Sequence, residues 1–113
     1  MNFCIIFVSM SYFRIVKRAT LISFYVNHFV AKKSIELWYH EIKDHEFKNF
    51  NELKAVYKNA SVVANNRIVF NIKGNDYRLV VKMNFHTKQV FIIWFGTHKE
   101  YDRIDITTIK YKK

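Results

Sequence analysis

The sequence predicts an α+β domain: an N-terminal strand and two to three helices packed on one face of a mostly antiparallel β-meander. Three observations carry this. Residues 66–102 hold three runs rich in Val, Ile, Phe and Tyr, separated by the short polar stretches KGND and HTK, as an antiparallel meander requires. The middle run alternates, with Tyr77, Leu79, Val81, Met83 and Phe85 on one parity and Arg78, Val80, Lys82 and Asn84 on the other, so one face packs on a core and the other is mostly polar. Upstream, apolar residues recur at helical spacing. Strands gathered after helices suit a sheet with its helices on one side.

In chain order, Ser11 to Val16 reads as a first strand. Thr20 is a candidate cap for a helix over residues 21–30, with Leu21, Phe24, Tyr25 and His28 on one face. Residues 31–33 (AKK) read as a polar break, after which Ser34 caps a second helix with an Ile35, Trp38, Tyr39, Ile42 stripe. Asn49 and Glu52 have capping-box spacing before a short helix over residues 50–58, which offers Leu53, Val56 and Tyr57 to the core. Residues 61–64 form a short strand, and Asn65-Asn66 turns into the meander. A hairpin at Lys73-Gly74-Asn75-Asp76, where Gly74 and Asn75 are residue types that tolerate positive φ, puts Arg67, Asn71, Arg78 and Lys82 on one face. Residues 90–95 are apolar on both parities and read as a central strand covered on both sides. Residues 104–109 suit strand or short helix, and 110–113 make a basic tail.

Length and composition bound the function. At 113 residues, half of them hydrophobic, residues 1–113 form one domain with a real core. Formal charge is +10, spread along the chain, so a polyanion such as nucleic acid, the ribosome or an acidic protein is the expected partner. One cysteine, Cys4, allows no internal disulfide and suits a cytoplasmic setting. The apolar start lacks the basic opening and small-residue cleavage site of a secretory signal, and its run is too short to span a bilayer. No membrane partner is expected. Residues 1–9 read either as an extension from an upstream start, with Met10 as the alternative, or as a longer first strand.

The chemistry-bearing residues are Arg, Lys, His and Tyr. The five histidines lack metal-site spacing, and no P-loop, GxSxG or GxGxxG motif is present, so no metal or other cofactor is expected. Cys4 lies in an apolar run, where a thiol is inert. The remaining kit suits RNA cleavage by its own 2′-OH, which needs a base, an acid and cations for the phosphorane. His98 and Tyr101 are candidate proton carriers or phosphate donors. Arg78 offers a planar fork for phosphate, and Arg67, Lys73 and Lys82 add charge, with Asn71 on the same face. Each has a plainer reading: His98 as a hydrogen-bonded histidine at a strand end, Tyr101 as a capping aromatic, Arg78 and Lys82 as a solvated sheet face.

The segments RIVFNIKGN (67–75), YRLVV (77–81) and GTHKEYD (96–102) together resemble the HigB toxins of type II toxin–antitoxin systems, which are RelE-like ribonucleases. The resemblance spans about residues 14–109 and includes Leu37-Trp38-Tyr39 and Leu53-Lys54-Ala55. It implies a RelE-like fold and an mRNA interferase that enters the ribosome and cuts translated mRNA without metal. It also implies a HigA-like helix-turn-helix antitoxin, with operator DNA bound only through the complex. On that template Arg78 stabilises the scissile phosphate, His98 is the leading acid or base with Tyr101 beside it, and Lys73, Arg67 and Lys99 hold the RNA backbone. A non-catalytic RNA- or ribosome-binding module, and a decayed toxin that only binds its antitoxin, are the alternatives.

Overall fold

The computed structural model describes residues 13–16, 18–63, 66–106 and 109. The expectations placed on residues 1–12, which include Cys4 and Met10, on Ala64 and Asn65, on 107–108 and on the tail 110–113 lie outside the described residues. Strand β1 (Arg14–Val16) leads into helix α1 (Arg18–Asn27), a 3-10 turn (Phe29–Ala31), α2 (Lys32–Asp44) and α3 (Phe50–Val56). Then come β2 (Ser61–Val63), β3 (Arg67–Ile72), β4 (Tyr77–Asn84), β5 (Gln89–Thr97) and the single-turn helix α4 (His98–Tyr101). The five strands form one sheet in the order β1-β5-β4-β3-β2, antiparallel except for the β1–β5 pair. The α+β class read from the sequence therefore holds.

The helices cover one face of this sheet. Ile68, Phe70, Ile72, Leu79, Val81, Met83, Val90, Ile92 and Phe95 meet Leu21, Ile35, Trp38, Ile42 and Leu53 in one buried cluster. Ile35, Trp38 and Ile42 of the second predicted stripe are in it, with Tyr39 partly buried against them. Of the first only Leu21 is, with Phe24 and Tyr25 partly buried and His28 beyond a helix that ends at Asn27 and not at residue 30. Trp38 and Tyr57 stand edge-on to Phe70, at ring-centroid distances of 5.4 and 5.1 Å. His28 is held by aromatic contact with Tyr77 and Phe95.

Several boundaries differ from expectation. Helix α1 begins at Arg18, so Thr20 lies inside it, and the Thr20 carbonyl accepts a bond from Ser23 Oγ. The AKK stretch is no break. Ala31 is fully buried and the 3-10 turn hands the chain straight to α2, so Ser34 caps nothing. A cap is worth about 1 kcal/mol, and placing the buried stripe outweighs it. Helix α3 ends at Val56, which is exposed, while Tyr57 leaves the helix and turns to the core. Its Asn49 cap is as read: Asn49 Oδ1 accepts from Glu52 N–H at 3.0 Å. At the β3–β4 turn the positive φ angles fall on Lys73 and Gly74 and not on Asn75. The central strand is β4, with Leu79, Val80 and Val81 fully buried, and β5 lies between β4 and the edge strand β1. Phe91 of β5 remains partly exposed. After α4 the described residues to Ile106 form turns, neither strand nor regular helix.

Candidate functional site

The register sets the site. Asn71 pairs with Arg78, and Arg67 with Lys82, so the hairpin puts all four on the open face of the sheet, as the alternation predicts. Across β4, Arg78 pairs with Gly96. A one-residue bulge in β5 intervenes, since Val80 pairs with Trp94 but Val81 with Ile92. One extra residue reverses the parity of everything beyond it. Val90 and Ile92 face the helices before the bulge. After it Phe95 does, and Trp94 and Gly96 are carried to the open face.

Arg78 is positioned from three sides. Its Nη1 donates to the Asn75 carbonyl at 3.1 Å, and its Nη2 to Asn75 Oδ1 at 2.8 Å. A third bond joins Nη1 to the Tyr77 carbonyl at 3.2 Å. The guanidinium also lies over the Tyr101 ring, 6.0 Å from its centroid, at the limit of a cation–π contact. Tyr101 in turn leans on Trp94 at 6.2 Å. A half-buried guanidinium held by a turn and lying over one aromatic ring, itself braced by a second, is pre-organised for an oxyanion such as a phosphate.

Helix α4 brings in His98 and Tyr101. Thr97 Oγ1 accepts from Glu100 N–H at 3.1 Å while Glu100 Oε1 accepts from Thr97 N–H at 2.8 Å, a complete capping box. The His98 backbone N–H donates to the Asp76 carbonyl at 3.0 Å, tying α4 to the β3–β4 turn. The His98 imidazole is about half exposed, with Nδ1 3.8 Å from Asp102 Oδ2. That is too long for a hydrogen bond. Gly96 makes the packing feasible. A Cβ there would lie 2.6 Å from the Trp94 ring and 2.7 Å from the Glu100 carboxylate.

The other expected residues divide. Asn71 is beside Arg78 in register and half-buried. Lys99 is exposed on α4. Lys82 is exposed at the far end of the open face, four residues along β4 from Arg78, or about 13 Å at ordinary strand rise. Arg67, its partner, is half-buried: Nη1 donates to the Ile106 carbonyl at 3.0 Å, and Nε is buried without a partner among the described residues. The chain after α4 thus returns across this face, where Val69 and Val80 are buried apart from the helix-side core. Lys73 lies on the other side of its turn, paired with Asp76 at 3.7 Å and lining cavities against α2.

Arg78, Tyr101 and His98 are therefore gathered at one end, with Asn71 and Lys99 near them. Arg67, Lys82 and Lys73 are not part of that cluster. Two contributors were missed in the sequence. Asn75, read only as a turn residue, is the anchor of Arg78. Trp94 sat in a run apolar on both parities, where alternation says nothing about facing. Among the described residues no group of three or more His, Cys, Asp or Glu is gathered as a metal site. No helix among them is long and apolar enough to cross a membrane.

No curated protein matches this chain. The model of one protein family does, over residues 31–104, which takes in α2, α3, strands β2 to β5 and α4. That family is described as the RelE-like toxic component of a toxin–antitoxin system. The match covers well over half the chain and includes every residue of the Arg78 cluster, so the protein belongs to the HigB family of toxins.

Proposed function

We propose that this toxin is a metal-free endoribonuclease that cuts translated mRNA on the ribosome, in the cytoplasm, by driving the 2′-OH onto the adjacent phosphate. The observation that carries the reading is the fixed Arg78 fork over the Tyr101 phenol, at the end of the sheet where the same short helix carries the half-exposed His98 imidazole. As the 2′-oxygen attacks, a nonbridging phosphate oxygen gains charge, and the Arg78 guanidinium pairs with it. The guanidinium needs little rearrangement, because Asn75 and Tyr101 already hold it. His98 carries a proton, either from the 2′-OH or to the departing 5′-oxygen. Its Nδ1 lies 3.8 Å from the Asp102 carboxylate. Tyr101 donates to the phosphate or completes the proton transfer. Lys99 and Lys82 attract the flanking backbone by charge alone.

The test is primer extension on a reporter mRNA after brief induction in a translating cell, with wild type, Arg78→Ala and His98→Ala compared. New 5′ ends from wild type and their loss in both variants support the reading. Ends undiminished in both variants would place the chemistry elsewhere. No ends from a folded, expressed wild type would leave a toxin that acts by binding.

A further inference from the structure

The β3–β4 turn has a second side. Asn75 and Asp76 reach the Arg78 cluster, but Lys73 points to the start of α2, where an open trough of about 650 Å³ is lined by Phe29, Val30, Lys32, Lys33, Glu36 and Lys73. Through Lys73 the trough meets a second cavity of about 210 Å³ that includes Leu37 and Trp38. The surface has three unusual properties. Phe29, Val30 and Leu37 are 60–70 % exposed, within nine residues of each other, and clustered exposed apolar groups mark an interaction site. Lys32 and Lys33 occupy the first turn of α2, which holds no acidic residue, although the helix dipole favours anions there. Finally, the Trp38 indole N–H is buried without a partner among the described residues.

Together these describe the complement of an acidic amphipathic segment. We propose that this surface docks such a segment of the antitoxin, with apolar side chains on Phe29, Val30 and Leu37 and carboxylates on Lys32, Lys33 and Lys73. Glu36 does not reverse the sign, since three lysines outnumber it and Tyr25 Oη lies within 3.5 Å of its carboxylate as a donor. The inference rests on the toxin reading and adds a consequence to it. A carboxylate that captures Lys73 competes with Asp76, so the partner pulls on the turn that holds Arg78 and His98. Neutralisation then needs no direct cover over the RNA site.

The deciding experiment is calorimetric titration of the wild-type chain, Phe29→Glu, Leu37→Asn and Lys33→Glu with the full-length antitoxin encoded alongside this toxin. Growth arrest by each variant alone is recorded in parallel. These side chains are solvent-facing, and a thermal melt confirms each fold. Binding weakened about 30-fold or more in Phe29→Glu and Lys33→Glu, with growth arrest retained, is the expected result, since a buried anchor or paired charge at an interface costs about that factor. Leu37→Asn guards against a misfolded Phe29→Glu and should weaken binding about tenfold. Antitoxin binding within threefold of wild type in all variants overturns the proposal. So does intact binding with lost growth arrest, which would assign the surface to the ribosome. A wild type that binds antitoxin here but makes no new RNA ends would sink the nuclease reading and leave this one standing.

Discussion

Arg78 and Leu79 are consecutive in β4 and belong to different halves of the molecule. Leu79 is fully buried in the cluster between sheet and helices. Arg78, on the open face, takes its partners from a turn and from α4. The helix-side face is apolar along its length. The open face is mixed: Val69, Val80 and Trp94 are apolar in its middle, Arg78 and Asn71 lie at one end, and Arg67 and Lys82 lie at the other beside Phe91. A fully covered face can contribute packing and little else, because an unpartnered polar group there costs about 1–3 kcal/mol. A half-covered face can hold a guanidinium whose partners are built in and whose outer edge meets solvent. The same strand therefore carries stability on one side and chemistry on the other.

Substituting these two neighbours separates the roles most sharply. Arg78→Ala should lower mRNA cleavage by about two to three orders of magnitude, the usual loss for a preorganised charge at a developing oxyanion. It should cost only about 1 kcal/mol of stability, because its hydrogen bonds to the turn are local and largely exposed. Arg78→Lys should be almost as damaging, since lysine cannot hold the Asn75 geometry and the phosphate together. Leu79→Ala should cost about 3 kcal/mol of stability, read by urea titration, with normal cleavage per folded molecule. If Leu79→Ala lost cleavage while still folded, or Arg78→Ala unfolded the protein, the division between faces would be wrong.

Gly96→Ala tests the join between the faces. Its new methyl would collide with the Trp94 ring and the Glu100 carboxylate, so the indole or the capping box must move. The expectation is about 1–3 kcal/mol of lost stability. Cleavage should fall about tenfold, because α4 and the ring under Arg78 shift together. Normal stability and activity would mean that Trp94 and Tyr101 do not support the guanidinium.

How much of this could be read from the sequence depends on which rule had to speak. The Asn71–Arg78 and Arg67–Lys82 pairs were legible, because two alternating strands joined by a short turn leave few registers. The helical stripes were legible for the same kind of reason. Trp94 and Gly96 were not. Their facing depends on a bulge within VFIIWFG, where every position is apolar enough to face either way. Thr20 and Ser34 were misread as caps, since cap propensity is small beside the packing that fixes helix ends. Lys73 and Arg67 have the right chemistry for RNA. What the sequence lacked was the side of the turn that Lys73 takes, and the return of the chain over Arg67.

The helix-side face makes its own prediction at high pH. Burial, with the neighbouring Glu41 carboxylate as hydrogen-bond acceptor and like charge, pushes the Tyr57 hydroxyl far above its ordinary value. The unfolded chain releases that proton near pH 10 and the folded chain keeps it. Folding stability is thus intact below about pH 10 and falls as pH rises beyond it. Tyr57→Phe should flatten this alkaline decline in a melt series from pH 9 to 11.5, while cleavage at neutral pH is unchanged. An equally steep decline in the variant would assign it to other groups.

The smallest effects lie at the far end of the open face, where Arg67 and Lys82 face each other. Equal charge and paired register suggest equal roles, but the contacts do not. Arg67 holds the Ile106 carbonyl with one nitrogen and has another buried, so Arg67→Ala should cost about 1 kcal/mol of stability through the lost hydrogen bond. Lys82 is exposed, with no hydrogen bond or ion pair to hold it among the described contacts. Lys82→Ala should leave stability within about 0.5 kcal/mol and weaken RNA binding only a few-fold. It should also reduce the slope of log affinity against log salt by about one, the signature of a single lost phosphate contact. The pair is informative because the two outcomes can be exchanged. An Arg67→Ala variant that kept its stability and lost one unit of salt slope would mean that the guanidinium leaves Ile106 for phosphate. The covered middle of the open face would then open when RNA binds, and Arg67 would join Lys82 as a second phosphate contact at the far end.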